Sequence, residues 1–332
     1  MNLPSALRSP SGAPQIAALV LVFAANWVVF PDFFALELRD GRLFGSLIDV
    51  FNRGAPVAIL AIGMTLVIAT RGIDLSVGAV MAIAGATAAT LTNAGYGLPA
   101  VLAGALLIGL ACGLWNGMLV AILRIQPIVA TLILMVAGRG VAQLITEGAI
   151  VTFSTPELIA IGSGSLLGLP SPVVILGGLL ALSLVLVRAT ALGLFIKAVG
   201  LNERSSAYAG VDVRTVTLTV YVWSGLCAAI AGVIAAADIR GADANNAGLW
   251  LELDAILAVV VGGTSLLGGR FSLTFSVIGA LIIQAMNTGI LLSGFRPEFN
   301  LLVKAVVVLL VLLPQSPAIA RFIASAGGGK RP

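Results

Sequence analysis

The sequence predicts an all-α integral membrane protein of about ten transmembrane helices with both termini in the cytoplasm. Three observations predict it. Of 332 residues, 59% are hydrophobic and only 10% charged, more apolar surface than a soluble domain of this length can hide. Apolar runs long enough to span a bilayer recur along the whole chain. Basic residues gather in alternate connectors.

A helix rising 1.5 Å per residue needs roughly 20 apolar residues to cross a hydrocarbon core of about 30 Å. Runs of this kind fall at about 14–30, 54–70, 75–92, 98–122, 126–145, 172–188, 215–236, 253–267, 271–292 and 299–313. The eighth and tenth are the shortest, compatible with a tilted or partial crossing. The first continues to Phe30–Pro31 without a small-residue cleavage site and reads as a span rather than a leader.

With the amino end inside, one set of connectors holds eleven bases: Arg8, Arg71, Arg124, Arg188, Lys197, Arg204, Arg214, Arg270, Arg321, Lys330 and Arg331. Only three acids, Asp74, Glu203 and Asp212, accompany them, and the other side is acidic on balance. This is the positive-inside pattern, which an odd number of spans would scramble.

Composition also removes function classes. There is no histidine, and Cys112 and Cys227 both lie inside apolar runs. Histidine-based acid–base chemistry, a His/Cys metal site and a disulfide framework are therefore not expected. The formal charge of +4 comes without a basic soluble surface, so nucleic acid is not an expected partner. None of the longest connectors, about 31–53, 146–171, 189–214 and 237–252, can hold an enzymatic domain. The only Gly-Lys pair, Gly329–Lys330, is followed by Arg331 where a phosphate-binding loop needs Ser or Thr. The chain reads as one permease domain over 1–332 with no catalytic residue, metal or cofactor, any ATP being bound by another subunit.

Helices in lipid gain nothing from simple apolar contact with one another, so close association calls for small residues four apart. Gly109, Gly113 and Gly117 in the fourth span, Gly78, Ala82 and Ala86 in the third, and Ala228, Gly232 and Ala236 in the seventh predict that these three are central.

Two connectors stand out. In ATALGLFIKAVGLNERSSAYAGVDVRT (189–215) a helix over about 192–199 is expected to meet Gly200 as its C-cap, and Asn202 to cap a second short helix ending at Gly210. Such a pair suits docking onto a cytoplasmic partner, with Ala207 and Ala209 allowing close approach, or serves as an interfacial connector. In ATRGIDLSVGAV (69–80), Gly72 permits irregular backbone while Asp74 and Ser76 can satisfy the free amides of the next helix. It is either a cytoplasmic capping turn or part of a pathway wall, since broken backbone at membrane depth must line protein or water.

The runs GMTLVIATRGIDLSVGAVMAIAGA (63–86), AVGLNERSSAYAGV (198–211) and ADANNAGLWLELDAILAVVVGGTSLLGG (242–269) closely resemble the ribose/galactofuranose/autoinducer-2 branch of bacterial ABC importer permeases. The likeness covers essentially the whole chain and is strongest to the galactofuranose type. It implies residence in the bacterial inner membrane, a periplasmic sugar-binding protein as donor and a separate cytoplasmic ATPase. It further implies a pore built with a second permease copy or a sister permease. By resemblance, Gly200, Leu201, Asn202, Ala209 and Gly210 belong to the loop, about 193–212, that couples ATPase closure to the helices. Arg71 stands where the family's GGIDLS has its first glycine, which favours a cytoplasmic turn over a buried break.

Polar groups within spans are functional candidates because hydrocarbon penalises them. Asp74, Ser76, Asn116, Arg139, Gln143, Gln284, Asn287 and Thr288 are the candidate pathway or gate residues. Arg139, Gln143 and Glu147 form one stripe in the fifth span, where Arg139 can alternatively snorkel or pair locally; Lys304 is expected to snorkel. Amides and hydroxyls suit passage of a neutral polyol, with interhelical bonding as the alternative. No carboxylate is expected at the midplane, which disfavours an ion-coupled carrier. The outward stretch 238–254, including Glu252 and Asp254, is too polar for lipid. Arg240, Asp243, Asn245, Asn246 and Arg296 are candidates for receiving the binding protein. The rivals to a monosaccharide permease are a permease for another small solute, such as a branched-chain amino acid, and a self-sufficient ion-coupled carrier.

Overall fold

A computed structural model of the chain describes residues 12–39, 42–166, 168–294, 299 and 301–306. Its helices are α1 (Ala13–Val29), α2 (Ser46–Ala69), α3 (Val77–Asn93), α4 (Leu98–Ala121), α5 (Pro127–Ile145), α6 (Pro156–Ser163), α7 (Ser171–Ala189), α8 (Leu192–Leu201), α9 (Glu203–Tyr208), α10 (Val213–Ile239), α11 (Leu251–Val261) and α12 (Leu273–Leu292). Residues 301–306 are also helical. Among the described residues strand structure amounts to three short antiparallel pairs in the connectors. Pro99, Pro127, Pro156 and Pro172 each sit in the first turn of their helix, where the missing amide costs no hydrogen bond.

Among the described residues α2, α4, α5, α7, α10 and α12 are long and apolar enough to cross a membrane, and α1 and α3 follow at 17 residues each. The eighth expected span differs. α11 is 11 residues long, about 16 Å at the helical rise and half a bilayer core; the chain then continues without helix through 262–272. The cause is composition, since Gly262, Gly263, Gly268 and Gly269 interrupt the apolar run and three of them hold positive φ. Most of the tenth expected span lies outside the described residues.

Cross-chain bonds sort the connectors onto two faces. Arg71 Nη2 donates to Leu201 O at 2.6 Å and its Nε to Leu267 O at 3.0 Å, placing the α2–α3, α8–α9 and α11–α12 connectors together on the basic, cytoplasmic face. On the opposite face Val151–Thr152 pairs with Gly241–Ala242, and Asn93 Nδ2 donates to Thr152 O.

The core is built on α2 and α10, buried along most of their length, with α3 beside them. α4 is central only by its glycine face: Gly109, Gly113 and Gly117 press on α10 while Leu107 and Trp115 are exposed. The small-residue stripe marks close backbone contact on one face rather than enclosure of the whole helix, since α4 has the stripe and leaves its other faces exposed.

Candidate functional site

The lead-in to α3 is non-helical and runs into the bundle. After α2 ends at Ala69, the chain turns at Arg71 (φ +68°), and Gly72 packs so tightly that an added Cβ would lie 2.6 Å from the Tyr221 hydroxyl. Residues 73–76 then enter between α4, α5 and α10. Their polar groups are met by side chains: Thr131 Oγ1 accepts from Leu75 N and contacts Ile73 O. Asp74 Oδ1 accepts from Ser76 N (3.1 Å) and Ser76 Oγ (2.6 Å), with Asn116 Nδ2 at 3.5 Å. Asn116 Nδ2 also donates to Ser76 Oγ at 2.8 Å, and Ser224 Oγ donates to Asp74 Oδ2 at 2.8 Å.

Ser224 is twelve residues past the α10 cap at Asp212, about 18 Å along the helix. Asp74 therefore lies at mid-bundle depth with 2% of its surface exposed, correcting the expectation that no carboxylate reaches the midplane. The segment 71–76 is a surface turn at Arg71 and a buried break at Asp74, not one or the other. Asp74, Ser76 and Asn116 meet in one cluster with Thr131 and Ser224, and the Tyr221 hydroxyl lies beside it against Gly72; sequence reasoning singled out none of these last three. Their signal was available: Tyr221 and Ser224 are polar groups one turn apart within an apolar helix.

A second irregular segment approaches from the outer face. Residues 241–250 fold inward until Gly248 (φ +71°) abuts Gly78, with room for no side chain on either. Arg139 Nη1 donates to Ala244 O (3.0 Å) and Ala247 O (2.6 Å), and Gln143 Nε2 to Asn245 Oδ1 (2.7 Å). Arg139 thus pairs locally instead of snorkelling, and it and Gln143 clamp this loop rather than join the Asp74 cluster.

Glu252 and Asp254, which follow in α11, are buried, so they do not belong to an outer docking surface. Lys304 does not snorkel either: its Nζ bonds both oxygens of Asp254 at 2.8 Å. What the loop does present outward is Arg240, Asn245, Asn246, Leu249 and Trp250, with Asp243 partly covered. Asp243 bonds the Asn246 side chain and the amides of Asn245 and Asn246, which hold its carboxyl below the usual range. Arg296 lies outside the described residues.

The remaining pathway candidates stand apart. Among the described residues Gln284 Nε2 reaches only Thr288 Oγ1, at 3.5 Å, one turn along α12, and the Gln284 stem packs on Gly54 of α2. Asn287 is partly buried on the same helix and does not meet the Asp74 cluster through any hydrogen bond among the described residues.

On the cytoplasmic face α8 and α9 form an elbow. Asn202 caps α9 as expected, its Oδ1 accepting from Ser205 N at 3.0 Å. Gly200, however, is not a C-cap. It lies within α8, whose last turn is driven so close to α2 that a side chain on Gly200 would strike Ala69 O and Gly269 N. Gly269 N in turn donates to Ala69 O at 2.9 Å. The elbow's tip is not a small-residue surface, because Tyr208, 92% exposed, stands between Ala207 and Ala209 with Leu201 exposed nearby. Gly210 takes φ +86°, turning the chain towards α10. There Asp212 caps the helix, and its bonds to the Thr215 hydroxyl and amide hold its carboxyl below the usual range.

A polar break buried in the bundle, a loop folded in from the opposite face and an elbow bonded to the turn that leads into the break suit a transport subunit. The comparisons agree. The chain is 67% identical over 321 residues to the galactofuranose transporter permease protein of Escherichia coli, covering 97% of this chain and 93% of that one. It is 41% identical to the fructose import permease protein of Bifidobacterium longum, covering 96% and 91%. Against the ribose import permease protein of Escherichia coli the identity is 38%, covering 90% and 92%. No solved structure matches. The pattern described as branched-chain amino acid transport system / permease component runs through residues 46–312, and the chain belongs to that family, as a multi-pass transport subunit of the bacterial inner membrane and not an enzyme.

Proposed function

We propose that the chain is the membrane-spanning permease of an ATP-binding-cassette importer and carries a monosaccharide, galactofuranose or a close relative, into the cytoplasm. The observation that carries this reading is the 67% identity over nearly the full chain to a galactofuranose permease, well above the identities to the fructose and ribose permeases. The interior chemistry supports a neutral solute. An amino acid zwitterion needs fixed countercharges, and here Lys304 and Asp254 are committed to each other, Arg139 to backbone carbonyls with Glu252 nearby, and Asp74 to the hydroxyls of Ser76 and Ser224.

The elbow of α8 and α9, with Gly200, Leu201, Asn202, Ala209 and Gly210, receives a separate cytoplasmic ATPase, which binds the ATP. A periplasmic sugar-binding protein docks on the outer loop at Arg240, Asp243, Asn245 and Asn246. A second permease, identical or related, completes the pore. Closure of the ATPase pushes α8 against Ala69 and so against the lead-in to α3.

Proteoliposomes containing the chain, its ATPase and its binding protein test this. Labelled galactofuranose is expected to enter only with ATP and the binding protein present. Preferential uptake of leucine, or uptake by the lone chain under an ion gradient, would overturn the reading. Gly200→Leu is expected to leave ATP hydrolysis running while uptake stops; coupled transport at the normal ratio would refute the elbow's role.

A further inference from the structure

Away from the Asp74 cluster and the outer loop, an open groove of about 690 Å³ separates α7 and α8 from the start of α12. Its walls are layered. Leu184 and Val187 of α7 and Phe275 of α12 form an apolar wall, and Arg188, Lys197 and Phe271 form the rim. α7 runs toward the cytoplasmic face, so Leu184 lies one turn deeper in the membrane than Arg188; α12 runs away from that face, so Phe275 lies one turn deeper than Phe271.

Lys197 Nζ stands 5.7 Å from the centre of the Phe271 ring, and among the described residues neither Arg188 nor Lys197 forms an ion pair. Two cations are thus held at the cytoplasmic boundary above an apolar slot. The same helix exposes Leu182 and Val185 on its other sides, so α7 offers apolar surface to lipid beside the groove. A soluble anion would use the rim and leave the apolar wall wet. A zwitterionic lipid would fill the wall and bring no net charge to the rim.

We propose that this groove is a binding site for an anionic phospholipid of the cytoplasmic leaflet, with its phosphate between Arg188 and Lys197 and an acyl chain along Leu184, Val187 and Phe275. The site does not depend on which solute is carried, and the bound lipid links α7 and α8 to α12 at the level of the elbow.

The test is native mass spectrometry of the full chain in its assembled complex, titrated with phosphatidylglycerol and with phosphatidylcholine. Wild type is expected to retain phosphatidylglycerol with roughly tenfold preference, and Arg188→Gln/Lys197→Gln to lose that preference. Leu184→Trp, which fills the slot without changing charge, is expected to displace the lipid as well, and thermal unfolding of each variant checks that it is folded. Equal retention of the two lipids by wild type would overturn the proposal. So would displacement of phosphatidylglycerol by excess inorganic phosphate, which marks a free-anion site. Exclusion of the lipid whenever the ATPase is bound would also overturn it, since the rim would then be part of the ATPase contact.

Discussion

Ser224 Oγ donates a 2.8 Å hydrogen bond to Asp74 Oδ2, joining the middle of α10 to the broken backbone that precedes α3. Through Ser76 and Asn116 the same carboxylate reaches α4. An ionisable group at this depth persists only because neutral donors surround it, so it fixes the geometry of three helices around one point.

Asp74→Ala removes the common acceptor and leaves Ser224 Oγ, Ser76 Oγ and Ser76 N without it. Each buried donor so stranded costs about 1–3 kcal/mol. The variant is expected to lose about 3 kcal/mol or more and to unfold at clearly lower temperature in detergent. Asp74→Asn keeps a carbonyl acceptor, and its amide can donate to Ser224, so its loss is expected to be about 1 kcal/mol. Thermal unfolding followed by size-exclusion recovery checks the order, and equal losses would mean the hydrogen bonds are not what holds the break.

Glycines are not interchangeable here. An added Cβ on Gly113 would stand 2.6 Å from Tyr221 O and 2.7 Å from Val222 Cα, so α4 would have to move off α10. Gly140, on the exposed side of α5, has nothing within 4 Å. Gly113→Ala is expected to destabilise by about 1–3 kcal/mol through overpacking. Gly140→Ala is expected to be neutral or to stabilise by up to about 1 kcal/mol, by restricting the unfolded backbone. Matched thermal-unfolding curves decide between them.

How much of this was legible in the sequence depends on the length scale of the signal. Spans such as α4 and α10 declare themselves because twenty apolar residues in a row allow no other solvent. The breaks do not: 72–76 reads equally as a capping turn or a buried wall and 241–250 as an outward loop, until Thr131, Ser224 and Arg139, each from a different helix, are seen to satisfy them. Local capping rules predict a glycine at position 200 as a C-cap, whereas the structure requires it for the close approach of α8 to Ala69, which no local rule can see. Lys304 and Asp254 are 50 residues apart, and no local pattern links them.

Arg71 occupies a left-handed conformation that costs an ordinary side chain roughly 1–2 kcal/mol, where the resembling family has glycine. Its guanidinium bridges Leu201 O of the elbow and Leu267 O of the α11–α12 connector. Arg71→Gly relieves the strain and loses both bonds, so stability is expected to change little. Communication between elbow and break should weaken, and the measured ATP hydrolysed per solute imported is expected to rise. An unchanged ratio would show that Arg71 only staples the surface.

The ion pair between Lys304 and Asp254 ties α11, the half-length helix, to the helical segment 301–306. Both side chains are largely covered, at 17% and 10% exposure. Removing one partner strands the other charge in a poorly solvated place, which costs about 3–5 kcal/mol, whereas replacing both with apolar residues of similar size is often nearly neutral. Lys304→Met and Asp254→Leu are each expected to lower the unfolding temperature strongly, and the double variant to recover most of the loss. A double-mutant cycle measures the coupling directly. If the two single effects simply add, Lys304 and Asp254 act independently and the tether between α11 and the final helical segment lies elsewhere; if the double variant is stable but no longer imports, the pair serves movement of α11 rather than folding.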